Sequence, residues 1–177
     1  AAGSSAGYPL VPLSNRARDG RFTVQGQTGQ LARNFAPSPH AIHGHGWQTL
    51  WQVTERENDR ATLVFSHNAA DWPSSYHAEQ RFTLSQGNLE VSLSLTNTGG
   101  EEMPAGHPYF PRTPLCHLTA EVDQMWATDD EVMPTGLVDP PSGGDPASRL
   151  QPDKVELDNC FTGFSGRAVV AWPERRA

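Results

Sequence analysis

Leu89-Glu90-Val91-Ser92-Leu93-Ser94-Leu95-Thr96 is the stretch that decides the fold class of this chain. Its leucine and valine residues alternate with polar residues at the period of two expected of a half-buried β-strand. The alternation ends at Asn97, and the turn-forming residues Thr98-Gly99-Gly100 follow. The segment therefore predicts a long strand that ends in a turn.

Shorter runs around this strand show related patterns. The apolar residues and turn signals predict strands at 21–24 and 30–35 around a glycine-bearing turn, at 47–53 with Trp47 and Trp51 on one face, and at 61–66, 79–84, 118–122 and 168–172. The turn 85–88 leads into the long strand and makes the centre of the chain a meander of antiparallel strands.

Two segments show no strand pattern. Residues 1–14 are rich in Gly, Ala, Ser and Pro, which predicts an extended lead-in, and residues 133–153 predict a long surface excursion. No window shows sustained helical spacing, and 15 prolines with 16 glycines suit many short strands and turns. The sequence therefore predicts an all-β protein.

Length and charge limit the function classes. A chain of 177 residues predicts a single domain over 1–177 with a sizeable core. The formal net charge of -7 argues against a nucleic-acid or anionic-membrane partner, because both need a basic patch. Without a long apolar run or a signal-peptide pattern, we expect a cytoplasmic protein. Cys116 and Cys160 are too few and too far apart for a disulfide framework, so both are expected to be free thiols.

The segment 101–110 is the strongest candidate for chemistry. Its histidine, His107, follows the long strand and its turn, which predicts a position at the edge of a rigid sheet, where site residues are common. Three other polar segments stand out, namely Asn15-Arg16, residues 42–46 with two histidines, and residues 157–161 with Asp158. Taken singly, each has an ordinary structural explanation.

Taken in order, these segments resemble the aldose 1-epimerase (galactose mutarotase-like) family over most of the chain. The matching motifs are Ser14-Asn15-Arg16 with Gly20-Arg21-Phe22, Leu31, Asn34, His43-Gly44 with Trp47 and Trp51, Asn97, Met103-Pro104, His107-Pro108-Tyr109-Phe110 and Leu157-Asp158-Asn159. The resemblance implies a large antiparallel β-sandwich of the galactose mutarotase-like type, seen here as an incomplete portion, with an open sugar-binding cleft.

The resemblance also implies an isomerase that interconverts the α and β anomers of an aldohexose without a cofactor or a metal. It makes His107 the general acid and His43 the residue that steadies charge at the ring oxygen, and histidine suits proton transfer because its pKa lies near neutrality. It makes Asn15, Arg16 and Asp158 substrate-binding residues, with donor and acceptor groups suited to sugar hydroxyls. The partner is then a small sugar, and the protein a monomer or a homodimer.

Several neighbouring residues receive no family role. His40 and His45 match no family position and are expected to be loop histidines. Trp72 and Tyr109 could offer a sugar an aromatic face, but core packing is the more ordinary role for both. The glycines after His43 would let the backbone approach a ligand closely.

Two departures from the family pattern affect the interpretation. Gly106 directly precedes His107, where family members place a few intervening residues. The family's general base is a glutamate far downstream that no residue here matches, and Glu174 lacks its context. We therefore expect the sequence to be part of a longer enzyme that is truncated at the C-terminus, with the general base beyond this chain. Truncation at the N-terminus is the alternative left open at the other end.

Two other functions compete with the epimerase interpretation. The first is a non-catalytic carbohydrate-binding module of the same fold, which would keep the cleft and lack the base. The second is a metal-dependent cupin-type enzyme, indicated by His43-Gly44-His45. That pattern needs a glutamate four or five residues after the second histidine, where this chain has Thr49 and Leu50.

Overall fold

A computed structural model describes residues 7–24, 26–97 and 105–175. The described residues form fourteen strands, and every pairing between these strands is antiparallel. Short 3-10 helices lie at Arg18–Gly20, Pro146–Ser148 and Pro152–Lys154. The prediction of an all-β antiparallel protein is confirmed.

The chain divides into two compact units, Ala1–Tyr109 and Phe110–Ala177. The strands of the first unit are β1 Tyr8–Leu10, β2 Arg16–Ala17, β3 Arg21–Val24, β4 Gln27–Gln30, β5 Ala41–Ile42, β6 Gln52–Arg56, β7 Arg60–His67, β8 Tyr76–Ser85, β9 Asn88–Asn97 and β10 Ala105–His107. Those of the second unit are β11 His117–Ala120, β12 Met125–Thr128, β13 Pro134–Val138 and β14 Ala168–Ala171. A single domain over 1–177 stays a prediction.

The long alternating segment forms β9, the edge of a four-stranded sheet in the order β6-β7-β8-β9. The β8–β9 hairpin turns at Gln86 and Gly87, which both have positive φ as a two-residue type I′ turn requires. Leu93 and Leu95 pack against the core of the unit, whereas Leu89 is 63% exposed. The strand prediction is therefore confirmed, and burial is confined to the half of the strand nearer Asn97.

The predicted glycine-bearing hairpin is present with a shifted second strand. β3 pairs with β4 up to Val24 opposite Gln27, and Gly26, which has a positive φ, lies between these strands. The second strand is Gln27–Gln30 rather than the predicted 30–35. The reason is that Leu31 leaves the strand to enter the core, where it is 3% exposed and its N–H donates to the Gly20 carbonyl.

The prediction of a strand over 47–53 with both tryptophans on one face is wrong. Trp47 lies in a turn, and β6 begins only after Trp51. The indole N–H of Trp47 donates to the Ile42 carbonyl at 3.0 Å and that of Trp51 to the Gly46 carbonyl at 2.8 Å. These bonds draw both rings back onto the preceding loop, and Trp51 packs against the core as expected of it.

The amino-terminal segment is packed, contrary to the prediction of an extended lead-in. Residues 8–10 form β1, and Val11 is completely buried in the core of the first unit. The buried residues of that core are Val11, Leu31, Ala41, Trp72, Tyr76 and Ala78. Residues 1–6 of the predicted lead-in lie outside the described residues.

The second unit consists of two antiparallel pairs, β11 with β14 and β12 with β13. The strands predicted at 118–122 and 168–172 correspond to β11 and β14. The predicted excursion over 133–153 instead contains β13. The Asp129 carboxylate accepts from the N–H groups of Glu131 and Met133, which closes a turn that returns the chain onto β12.

Both cysteines are free thiols, as predicted. The described residues include no helix with the length and apolarity of a membrane span.

Candidate functional site

Asn15 and His43 face each other beside the β2–β5 pair. The His43 N–H donates to the Asn15 carbonyl at 2.9 Å, and the Asn15 N–H donates to Nδ1 of His43 at 3.1 Å. Both residues have left-handed backbone angles, with φ of 63° and 62°. Because Nδ1 accepts a backbone hydrogen bond, the neutral imidazole of His43 carries its proton on Nε2.

The side chain of Asn34 holds the loop on both sides of His43. Its amide oxygen accepts from the Ile42 N–H at 2.8 Å, and its amide nitrogen donates to the carbonyls of Ile42 at 2.8 Å and Gly44 at 3.1 Å. One side chain thus satisfies three backbone groups of the segment, and this fixes the His43 backbone in its left-handed conformation.

Arg16 lies next to this pair in the sequence and in space. Its Nη1 lies 3.5 Å from Oδ1 of Asn15, and its backbone is paired with Ile42 in the β2–β5 ladder. Asn15, Arg16 and His43 are thus neighbours, as expected of residues predicted to share a site.

Tyr8 connects the segment of His43 with that of His107. The backbone of Tyr8 is paired with that of His107 in the β1–β10 ladder. The Tyr8 ring lies 6.3 Å from the His43 ring and 5.8 Å from the Trp47 ring, centre to centre. Tyr8 therefore lies between the two segments: its backbone pairs with that of His107, and its ring lies near the rings of His43 and Trp47.

The hydroxyl of Tyr8 lies 3.2 Å from that of Tyr109. Burial, reinforced by this hydrogen bond, raises the pKa of Tyr8 to about 12. Tyr8 therefore stays protonated near neutral pH and can share hydrogen bonds but not act as a base there.

The two aromatic residues considered for a sugar platform differ in their surroundings. Trp72 is 3% exposed and stacks on Phe22 at 4.5 Å, so its core role is confirmed. Tyr109 is 50% exposed and lies outside the core, against the expectation for it. Phe35, also 50% exposed, lies 6.0 Å from Trp47 and adds a second open aromatic face near His43.

The glycines after His43 make room for the protein's own backbone. A Cβ on Gly44 would lie 2.4 Å from the Val11 carbonyl oxygen and 2.6 Å from Pro12 Cδ, and one on Gly46 would lie 2.3 Å from Val11 Cγ2. The Val11 carbonyl accepts from the N–H groups of His45 and Gly46 at 2.8 and 3.1 Å. The close approach expected at these glycines is therefore made by residues 11 and 12.

Asp158 belongs to the second unit and is exposed. Its neighbour Asn159 donates to the Trp126 carbonyl at 2.8 Å, and the Trp126 N–H donates to the Cys160 carbonyl at 2.9 Å. The segment is thus anchored along β12, which presents Asp158 at the surface of that unit. Its role in substrate binding stays a prediction.

The two histidines expected to be ordinary loop residues are tightly bound. His40 is 1% exposed, and its Nδ1 accepts from the Asp19 N–H at 3.1 Å, which makes it a structural residue. His45 contacts two residues that the sequence did not single out, since its Nε2 lies 3.1 Å from Asp71 Oδ2 and its ring stacks on His67 at 4.2 Å.

His67 lies at the end of β7 in a mainly buried position. Its Nε2 lies 3.4 Å from Asp71 Oδ1. Burial lowers the pKa of His67 and repulsion from His45 adds to the effect, while Asp71 opposes it. The surroundings of His67 therefore favour its neutral form.

Sequence reasoning missed Tyr8 and the group of His45, His67 and Asp71. Tyr8 sits in a Pro-containing segment without alternation, so only its pairing with β10 identifies it. For the group of His45, His67 and Asp71, the available signal was the four-residue spacing of His67 and Asp71 after a predicted strand. This spacing does not indicate that His45 lies beside them.

Comparison with known proteins supports the resemblance. The sequence profile described as Aldose 1-epimerase matches residues 2–177. The uncharacterised Escherichia coli K12 protein YphB is 32% identical over 171 residues, which cover 94% of this chain and 58% of YphB. A second uncharacterised protein of that organism, YihR, is 30% identical over 74% of this chain and 46% of its own length. The chain thus spans about half the length of these relatives.

Solved structures show the same fold. The crystal structure of a candidate aldose 1-epimerase from Escherichia coli K12 is 30% identical and superposes with a TM-score of 0.86, covering 97% of this chain and 60% of that one. A GalM/aldose epimerase homologue from C. elegans, 21% identical, has a TM-score of 0.70 over 85% of this chain and 53% of its own. The fold of the chain is therefore galactose mutarotase-like.

Proposed function

Since the chain belongs to the aldose 1-epimerase family, we propose that the protein interconverts the α and β anomers of a hexose by acid–base opening of the sugar ring. The protein is then a cofactor-independent isomerase of carbohydrate metabolism, with an aldohexose as its substrate. The matched residues cover 58% of YphB, so the activity is proposed for the whole protein.

The observation that supports this function best is the meeting of three family motifs in the first unit. Asn15 with Arg16, His43, and the backbone of His107 are linked through hydrogen bonds and through Tyr8. Three polar segments that are far apart in the sequence thus come together beside open aromatic faces, which is a common composition for a sugar site.

The chemistry of the reaction suits these groups. Opening a hemiacetal requires a proton on the ring oxygen and the removal of one from the anomeric hydroxyl, and we assign the first transfer to His107 as general acid. His43 donates a hydrogen bond from Nε2 to the same oxygen and steadies the charge that develops there, a role that its Nδ1–Asn15 bond favours.

Substrate binding is assigned to the remaining residues of the site. Asn15 and Arg16 bind sugar hydroxyls next to His43, and Asp158 accepts hydrogen bonds from hydroxyls as an exposed carboxylate. The general base is not assigned to any residue of this chain. A positioned general base raises the reaction rate by on the order of a hundredfold or more, so the activity of the protein depends strongly on the presence of such a residue.

Anomer exchange measured on the full-length protein tests the proposal. Freshly dissolved α-anomers of a panel of aldohexoses are followed by polarimetry with and without the protein, while calorimetry measures binding of the same sugars. We expect at least one sugar to reach its anomeric equilibrium faster with the protein than without it. Binding of a sugar at the uncatalysed exchange rate would instead identify a carbohydrate-binding module of the same fold.

A further inference from the structure

His45, His67 and Asp71 form a compact group outside the site proposed for the sugar. One ligand atom from each of the three residues lies within 4.8 Å of the other two. His45 Nε2 is 3.1 Å from Asp71 Oδ2, and His67 Nε2 is 3.4 Å from Asp71 Oδ1. His43 does not belong to this group, and its Nδ1 accepts from the Asn15 N–H. We propose that this group is a binding site for one divalent transition-metal ion of the zinc type.

The separations between the donor atoms fit such an ion. Zinc binds imidazole nitrogen and carboxylate oxygen at about 2.0–2.2 Å, which places neighbouring ligands of one ion roughly 3.0–3.5 Å apart. Both nitrogen–oxygen distances to Asp71 already lie in this range. Two imidazoles with one carboxylate form a ligand set that suits zinc, cobalt and nickel better than magnesium or calcium, which prefer oxygen ligands.

Tyr76 provides the outer contact that a metal-binding histidine normally has. Its hydroxyl lies 2.7 Å from Nδ1 of His45. In the metal-bound form the neutral His45 carries its proton on Nδ1 and donates it to the Tyr76 oxygen, so that Nε2 presents a lone pair to the ion. The ion then takes the position of the proton that joins His45 to Asp71 in the metal-free form, and no net proton is released from the imidazole.

The site needs one movement before it can bind. The rings of His45 and His67 are nearly parallel, with 15° between their planes, so their Nε2 lone pairs do not converge on one point. A rotation of the His67 side chain brings its Nε2 toward the ion. His67 is the last residue of β7 and Asp71 lies in the β7–β8 connection. Both side chains are only partly enclosed, with 16% of His67 and 38% of Asp71 exposed.

A coordination position remains for water or a small ligand. A cavity of about 250 Å³ is lined by His45 and Asp71 together with Asn34 and Gln48. Three protein ligands with an open fourth position are typical of zinc sites that bind an exchangeable ligand, whereas structural zinc sites have four protein ligands. The bound ion would also tie the segment that carries His43 to the end of β7.

Cobalt binding to the metal-free full-length protein tests the site, because Co²⁺ replaces zinc and gives visible absorption bands that report its ligands. We expect the wild-type protein to bind one Co²⁺ per chain with bands of nitrogen and oxygen ligation, and Zn²⁺ to displace it. Asp71→Asn keeps the shape of the side chain and should weaken binding by about 100-fold or more, as should His67→Ala. Tyr76→Phe should weaken binding by about 10- to 100-fold.

His77→Ala is the matched control, because His77 is an exposed histidine of β8 that bonds to the Ser66 hydroxyl. It should bind Co²⁺ like the wild type. Circular dichroism of each variant establishes that it is folded. Equal Co²⁺ affinity in Asp71→Asn and the wild type, sulfur-ligand bands from Cys116 or Cys160, or no binding to the folded wild type would each overturn the proposal.

Discussion

The Asn15 N–H donates to Nδ1 of His43 at 3.1 Å, while the His43 N–H donates to the Asn15 carbonyl at 2.9 Å. This reciprocal pair joins two motifs that are 28 residues apart and sets the tautomer of the histidine. Because the backbone of Asn15 makes both bonds, its side chain takes no part in them and instead contacts Arg16, whose Nη1 lies 3.5 Å from Oδ1. The two roles can be separated by substitution.

Replacing Asn15 separates its backbone role from its side-chain role. Asn15→Gly tolerates φ of 63° and keeps both bonds to His43, so we expect little loss of stability and a raised KM for the sugar. Asn15→Val places a β-branched residue at positive φ and should lower the free energy of unfolding by about 1–2 kcal/mol or more. Urea denaturation and anomer-exchange kinetics measure the two effects. Equal stability of both variants would contradict the left-handed backbone conformation of residue 15.

Asn34→Ala should destabilise the protein strongly, because three backbone groups around His43 lose their partner. Ile42 is 7% exposed, so water replaces the amide poorly, and we expect a loss of about 2–4 kcal/mol in the free energy of unfolding. Asn88→Ala is the control, because the Asn88 side chain is exposed and makes one bond of 3.5 Å. It should change stability by less than about 0.5 kcal/mol. Similar losses in both variants would show that Asn34 does not hold the loop.

Val11→Ala tests whether the amino-terminal segment belongs to the core. Val11 is completely buried, so its truncation removes apolar contacts and leaves a cavity, and we expect a loss of about 1–3 kcal/mol on chemical denaturation. Val53→Ala makes the same chemical change at a side chain that is 53% exposed and should cost less than about 0.5 kcal/mol. If the two variants were equally stable, the segment around Val11 would not be packed as described.

The raised pKa of Tyr8 gives a pH dependence at the alkaline end. Folding raises this pKa from 10.0 to about 12, so its contribution to stability is complete below pH 10 and is lost as the pH rises toward 12. Ultraviolet titration of the wild type against Tyr8→Phe isolates the ionisation of Tyr8. Tyr109→Phe removes the hydrogen bond and should lower the midpoint while burial still keeps it above 10. A midpoint near 10 in the wild type would contradict the described contacts.

The sequence predicts best where one local pattern determines the structure. The alternation in β9 and the turn at Gln86-Gly87 define their hairpin without reference to distant residues. β1 and the burial of Val11 after it could not be predicted in this way, because β1 pairs with the distant strand β10 and Val11 packs against Gly44 and Gly46. β13 was missed because its pairing with β12 depends on a turn closed by the Asp129 carboxylate, and the segment that follows this turn is rich in proline and glycine.

The candidate site shows the same division. The motifs containing Asn15, Arg16 and His43 identify residues that do lie together. The contribution of Tyr8 and the association of His45 with His67 depend on tertiary contacts that leave no periodic signal in the sequence. Short motifs therefore indicate which residues to compare, and the fold determines which of them meet.

The central claim is that His107 is the proton donor in anomer exchange, and exchange NMR of an α/β aldohexose mixture tests it most directly. The full-length wild type, His107→Asn and the control His77→Asn are compared at one pH and one protein concentration. The claim predicts that the control keeps the wild-type rate, while His107→Asn loses about 100-fold or more of the catalysed rate. A His107→Asn variant that exchanges the anomers as fast as the wild type would contradict it.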